Sequence, residues 1–170
     1  MGKTTICWRL ADLLRAQGLS VGGILTPALL DGNGNKVGIR ALDLPAREER
    51  TLALKRETGR GLRVGPYVFD DEALAWGRQV ILNALTHHHD LVIVDEIGRL
   101  ELERNLGFHG VAENLPQDRA VLLVMRDQLM EILRERLDIR WFEVFQANRK
   151  NRDELPRTVA EALLPGRSLR

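Results

Sequence analysis

An α/β domain on a mainly parallel sheet is the fold class that this sequence predicts, and three observations carry the prediction. The back half alternates helical with strand-like segments, the chain opens on Gly2-Lys3-Thr4-Thr5 at the start of a helical pattern, and an uninterrupted apolar run ends on two adjacent carboxylates. At 170 residues the chain fits one domain, 1–170, large enough to bury a core without staples. Charges are plentiful but nearly balanced at +1, so no basic field advertises nucleic acid or an anionic membrane. Cys7 is the only cysteine, which excludes an internal disulfide and a thiol cluster for zinc, and fits a reducing compartment. No apolar run approaches the roughly 18 to 20 residues of a membrane span, and the N-terminus has no targeting pattern, so the expected location is the cytoplasm.

The elements follow in order. Ile6, Leu10, Leu13 and Leu14 recur at helical spacing between Lys3 and Gln17, and Gly18 is the stop signal. Val21 to Leu30 is extended in character, Asp31-Gly32-Asn33-Gly34 is a dense turn signal, and Lys36 to Leu44 alternates Val37, Ile39 and Ala41. That pattern predicts a long β-hairpin. A short third strand near Thr51 to Leu54 precedes a glycine-rich loop from Gly59 to Pro66. Asp71 or a neighbour caps a helix from about Glu72 to Thr86. Leu91-Val92-Ile93-Val94 and Ala120 to Met125 read as strands covered on both faces. Between them a helix near Leu100 ends before Pro116, and Gln128 to Leu137 is helical. Trp141 to Phe145 is expected as a last strand, and Glu154 to Leu164 as a last helix with Pro156 in its first turn.

Glycine, lysine and hydroxyl residues at a helix N-terminus suit a triphosphate. Free N–H groups of Gly2 to Thr5 and the positive helix end attract phosphate oxygens. Lys3 reaches the β- and γ-phosphates, and the Thr4 hydroxyl joins the Mg²⁺ coordination. A capped amphipathic helix would look the same from the tetrapeptide alone. Corroboration comes from Asp95 and Glu96 at the end of the apolar strand: Asp95 holds the Mg²⁺ shell, and Glu96 polarises the attacking water as general base.

Several segments together resemble a known family, the cancer-related nucleoside-triphosphatases, small P-loop enzymes also described as nucleotide phosphatase/kinase proteins. Gly2-Lys3-Thr4-Thr5 matches the end of that family's P-loop. Gly22-Gly23-Ile24-Leu25-Thr26-Pro27 looks like its glycine-glycine hairpin strand, and Val37-Gly38-Ile39 through Asp43-Leu44 like the returning strand. Val64-Gly65-Pro66-Tyr67-Val68 resembles its glycine-tyrosine segment. Asp95-Glu96-Ile97-Gly98-Arg99-Leu100-Glu101-Leu102 is close to its Asp-Glu-Ile-Gly signature, and Asn151-Arg152-Asp153 with Leu155-Pro156 is similar to its C-terminal motif. The resemblance implies a P-loop NTPase three-layer sandwich with an antiparallel hairpin inserted near the N-terminus. It also implies Mg²⁺-dependent hydrolysis of nucleoside triphosphates, ATP and GTP among them, to diphosphates with broad base tolerance.

Two departures stand out. The family carries a strand and a Gly-x-x-Gly-x loop before the position of Gly2, so the expectation is an N-terminally incomplete domain. After the threonine of the hairpin the family tends to carry an acidic residue and an arginine, where this chain has Ala28 and Leu30.

Other residues have plainer readings. His87-His88-His89 cannot readily close one tetrahedral site and reads as a solvated loop. His109 is isolated. Cys7 reads as a small buried hydrophobe, and Trp8, Trp76 and Trp141 as core or rim. Arg99 and Arg152 are candidates for charge neutralisation in phosphoryl transfer, against a surface salt bridge. Asn151 either contacts the nucleobase, as the resemblance implies, or caps the final helix. The expected protein is therefore a monomeric NTP hydrolase. The competing readings are a nucleoside or nucleotide kinase, with a lid between about Arg47 and Arg63, and a catalytically impaired nucleotide-binding protein.

Overall fold

The computed structural model describes residues 2–98, 101–102, 106–108, 110–111, 114–136 and 142–164. Helix α1 (Lys3–Ala16) buries Ile6, Cys7, Leu10, Ala11 and Leu14 along one stripe. It ends where the sequence places the stop: Gly18, at φ 78°, donates to the Arg15 carbonyl and Leu19 to that of Leu14, the paired closing bonds of a helix that turns left-handed.

The long strand expected from Val21 to Leu30 is broken at Thr26-Pro27 into β1 (Val21–Leu25) and β2 (Ala28–Leu30). Proline has no N–H for a ladder, and the break lets the two halves serve different neighbours. Strand β2 forms the hairpin with β3 (Lys36–Asp43), whereas β1 pairs antiparallel with β3 at one edge and parallel with β7 (Leu91–Ile97) at the other. Across the hairpin turn, the Asp31 carboxylate accepts the N–H groups of Asn33 and Asn35 at 2.9 and 2.8 Å.

Strand β4 (Glu49–Lys55) extends this antiparallel region, followed by the short β5 (Arg63–Val64), which lies inside the stretch expected as a glycine-rich loop, and by β6 (Tyr67–Phe69) just after it. Much of the segment expected as a kinase lid is therefore β4, bonded to β3 on one side and β6 on the other. Helix α2 (Asp71–Thr86) is capped by Asp70, whose carboxylate accepts the Ala73 N–H at 2.8 Å. Strand β8 (Ala120–Met125) adds parallel to β7, and a 3₁₀ turn at Asp127–Leu129 leads into α3 (Met130–Arg136). Helix α4 (Leu155–Leu163) has Pro156 in its first turn, as expected. Leu100, the predicted start of another helix, lies outside the described residues; Glu101 and Leu102 beside it are helical.

The sheet runs β5-β6-β4-β3-β1-β7-β8, with β2 on β3. Helices cover both faces of its parallel part. Leu91 and Ile93 of β7 pack with α1 and α4, while Val92 and Val94 pack with α2 and α3, the period-two alternation of a doubly covered strand. Strand β8 ends the sheet, and Ala120 to Leu123 are only half-buried although their β7 neighbours are fully buried.

One expectation is corrected here. Phe142 to Phe145 form no strand, and Phe142 and Val144 are exposed at 37% and 50%. A strand exists only through its ladder, and no described strand pairs with β8 on its open side to carry these residues into the sheet.

Candidate active site

The alternation along β7 turns Asp95, near the carboxyl end of the strand, toward the face that α1 covers. Asp95 continues the row of Leu91 and Ile93, whose side chains pack with α1, and it is buried to 1% exposure. An unpaired carboxylate at that depth would be expensive, and Thr26 satisfies half of it. Asp95 Oδ2 accepts the Thr26 backbone N–H at 3.0 Å and the Thr26 hydroxyl at 3.1 Å. Asp95 Oδ1 has no hydrogen-bond partner among the described residues.

Thr26 can reach Asp95 because β1 lies beside β7 in register, Ile24 opposite Val94. That register depends on Gly23. Its φ is 98°, and a Cβ placed there would lie 2.0 Å from the Ile93 carbonyl oxygen, so only glycine allows the strands to approach.

Cys7 of α1 is buried in the same cluster as Leu91 and Ile93 of β7. Burial first, then the negative charge of Asp95, pushes this thiol far above its usual range, while the positive charge of Lys3 pulls it back. Lys3 and Asp95 therefore both act electrostatically on one buried atom. Gly2, at φ 110°, begins the helix without a side-chain cap, and its carbonyl accepts the Ile6 N–H at 3.0 Å. Since α1 has no acidic residue in its first turn, the N–H groups of Lys3, Thr4 and Thr5 keep the positive helix end uncompensated.

Glu96 is held differently from Asp95. Val94 pairs with Leu123 and Ile97 with Met125, three steps along β7 against two along β8, which makes a β-bulge at Asp95-Glu96. Glu96 adopts φ 71°, a left-handed conformation that costs a residue with a side chain about 1 to 3 kcal/mol. The bulge breaks the simple alternation and leaves Glu96 exposed between buried Asp95 and Ile97. Just beyond it, Glu101 accepts the Gly98 N–H at 2.8 Å and the Phe108 N–H at 3.1 Å. Burial raises the Glu101 carboxyl above its ordinary range, and these two donors partly offset the rise.

At the C-terminal motif, the Asn151 side chain is engaged at both ends: its oxygen accepts the Asn148 N–H at 2.9 Å and its amide donates to the Gln146 carbonyl at 2.8 Å. The final helix is entered through the Asn151 backbone carbonyl, which accepts from Glu154 and Leu155. Arg152 is exposed, 3.7 Å from Asp153, and Asp153 is paired at 2.5 Å with Arg9 of α1. Ala28 and Leu30 both lie on the exposed side of β2. Arg99, His109 and Trp141 lie outside the described residues.

The histidine run sits elsewhere. His87 and His88 are exposed, and half-buried His89 packs on Gly22 beside a polar hollow with Asp90, Asp118 and Arg119 at the amino ends of β7 and β8, far along the strands from Asp95. Among the described residues no three His, Cys, Asp or Glu side chains could together hold a metal ion. Magnesium needs no such cage. One or two carboxylates suffice when phosphate oxygens and water complete six hard ligands, and Asp95 Oδ1 and the Thr4 hydroxyl are oxygens of the kind that could serve.

Thr26 and Glu101 carry no expected role from sequence, since each acts through a residue distant along the chain or through backbone N–H groups. The signals that point to them are the Thr-Pro break in the hairpin strand and the acidic residue three positions after Gly98, the spacing of a capping box.

Known proteins show which family the chain belongs to. The family described as NTPase matches residues 1–160. The nucleoside-triphosphatase THEP1 of Thermofilum pendens is 36% identical over 170 residues, spanning 96% of this chain and 90% of that protein. The protein of the same name from Methanopyrus kandleri is 31% identical over 169 residues, with the same shares. The crystal structure of THEP1 from Aquifex aeolicus superposes with a TM-score of 0.67 over 96% of this chain and 94% of that one, at 18% identity, a likeness of fold. With the family matched along nearly the whole chain, this protein belongs to the NTPase family.

Proposed function

We propose that this protein hydrolyses nucleoside triphosphates, ATP and GTP among others, to diphosphate and phosphate in a Mg²⁺-dependent reaction with broad base specificity. The observation that carries the reading is the pairing at one strand end of a buried carboxylate, Asp95, with an exposed one, Glu96, presented on a strained bulge. Two adjacent carboxylates in such different surroundings suit two roles.

In this reading the N–H groups at the start of α1 and the Lys3 ammonium bind the β- and γ-phosphates. Asp95 Oδ1 and the Thr4 hydroxyl would hold Mg²⁺, which when bound neutralises phosphate charge. Thr26 keeps the Asp95 carboxylate turned toward that position. Glu96 takes a proton from a water molecule as its oxygen attacks the γ-phosphorus, and the bond to the bridging β-phosphate oxygen breaks. Arg152 is within reach of the α1 side of the fold through the Asp153–Arg9 pair, and with Asn151 it is assigned to the nucleotide. Asn151 would act there by shaping the turn, since its own polar atoms are occupied. A monomer in the cytoplasm is part of the same proposal; among the described residues, no helix is long and apolar enough to cross a membrane.

The open side of β8, with its half-buried apolar residues, supports a further strand beside it that carries the first half of the phosphate loop. A second reading, a nucleotide binder with impaired catalysis, draws on exposed Ala28 and Leu30 where charges are expected.

The test is Mg²⁺-dependent phosphate release from ATP and GTP, for this chain and for one extended upstream at its locus, each with and without Glu96→Gln. Hydrolysis predicts turnover that Glu96→Gln lowers to a small residual rate while nucleotide binding persists. Binding with no turnover in either chain would favour the impaired binder and refute the hydrolase.

A further inference from the structure

Glu96 is held left-handed on a bulge, a conformation that an isolated strand end does not keep. Something beyond the strand must hold it, and two residues later the chain is clamped. Glu101 Oε2 accepts the Gly98 N–H at 2.8 Å, while Oε1 accepts the Phe108 N–H at 3.1 Å. The Leu102 N–H meets the Gly98 carbonyl at 3.1 Å, so Gly98 stands at a helix entry with Glu101 reaching back to it.

A capping residue would need only the first of these bonds. The second ties the same carboxylate to Phe108, which is buried to 3% and seated so closely on α2 that a Cβ at Gly77 would lie 2.8 Å from its ring. The carboxylate thus links the segment after the bulge to the rigid face of α2. We infer that Glu101 is a positioning residue for hydrolysis: by bridging Gly98 and Phe108 it imposes the left-handed backbone that presents Glu96 to water.

The inference rests on the reading of Glu96 as the general base, and its test separates the two. Glu101→Ala removes both acceptors. Glu101→Gln keeps the shape but offers one oxygen, turning an N–H₂ toward the other donor. In Glu101→Ala the Glu96 three-bond HN–Hα coupling and Hα shift should move from left-handed to extended values, and amide exchange at Gly98 and Phe108 should accelerate. The kcat should fall about 10- to 100-fold, as expected for a misplaced catalytic group, with KM within about twofold. Glu101→Gln should recover part of that loss, and adding Glu101→Ala to Glu96→Gln should cost nothing more.

A Glu96 that stays left-handed in folded Glu101→Ala or Glu101→Gln overturns the inference, as does a loss that appears in KM or adds fully to that of Glu96→Gln. Should Glu96→Gln turn over like the wild type, the general-base reading fails instead, and the backbone measurement still decides whether Glu101 holds the bulge. If the alanine variant does not fold, the glutamine variant carries the test.

Discussion

Thr26→Val is the substitution that most directly probes how the site is held. Valine matches threonine in volume, so no cavity opens, and the backbone N–H bond from residue 26 to Asp95 Oδ2 remains. Only the hydroxyl bond at 3.1 Å is lost, together with half of the donors to a carboxylate at 1% exposure. A hydrogen bond to a charged group contributes about 1.5 to 3 kcal/mol, and here the carboxylate left behind has no water to replace the donor. Urea denaturation should therefore show a loss in that range, equivalent to a fall in melting temperature of about 3 to 12 °C for a domain of this size. If Asp95 is also loosened in the transition state, kcat/KM drops about 10- to 150-fold, by the conversion of 1.4 kcal/mol per decade. Thr26→Ser keeps the hydroxyl and should remain close to the wild type in both assays. A folded Thr26→Val protein with stability within about 0.5 kcal/mol of the wild type, the margin of an ordinary surface change, would refute the claim that this hydroxyl supports the buried carboxylate.

Gly23→Ala should destabilise the protein by at least about 2 kcal/mol in the same denaturation assay, because a Cβ cannot occupy that backbone conformation against the Ile93 carbonyl; a smaller loss would mean that β1 and β7 can separate cheaply. Cys7 should resist thiol reagents in the native protein at mildly alkaline pH and react on unfolding, since it is buried and its thiol is held protonated by burial and by Asp95; rapid native labelling would contradict the packing of α1. His89 has its pKa lowered by burial and by neighbouring His87 and Arg119, so the folded state binds fewer protons than the unfolded one. Its stability contribution is present above the ordinary histidine pKa and is lost as pH falls through the depressed folded value. His89→Phe should flatten that part of the stability profile, and an unchanged slope would remove His89 as its origin.

Much of this site is legible along the chain because its residue types are local. The helix from Lys3, the apolar strand into Asp95 and Glu96, and the cap near Asp71 each depend on neighbours a few positions away. The hairpin strand is misjudged as continuous because alternation shows extended backbone but says nothing about which neighbour each stretch pairs with. Phe142 to Phe145 show the same limit: their composition favours a strand, but pairing decides whether one forms.

The α/β class, the glycine-lysine-threonine helix start and the two adjacent carboxylates can be read along the chain, since they follow from periodicity and from the residue types themselves. What distinguishes the two carboxylates arises in the folded chain alone. Asp95 faces inward onto Thr26 across the β1–β7 register, while Glu96 turns outward on a bulge followed by the Glu101 clamp. Those differences arise from contacts between residues 69 apart along the chain in one case and from a strained dihedral in the other. Neither has a local pattern, because both exist only once the strands have docked.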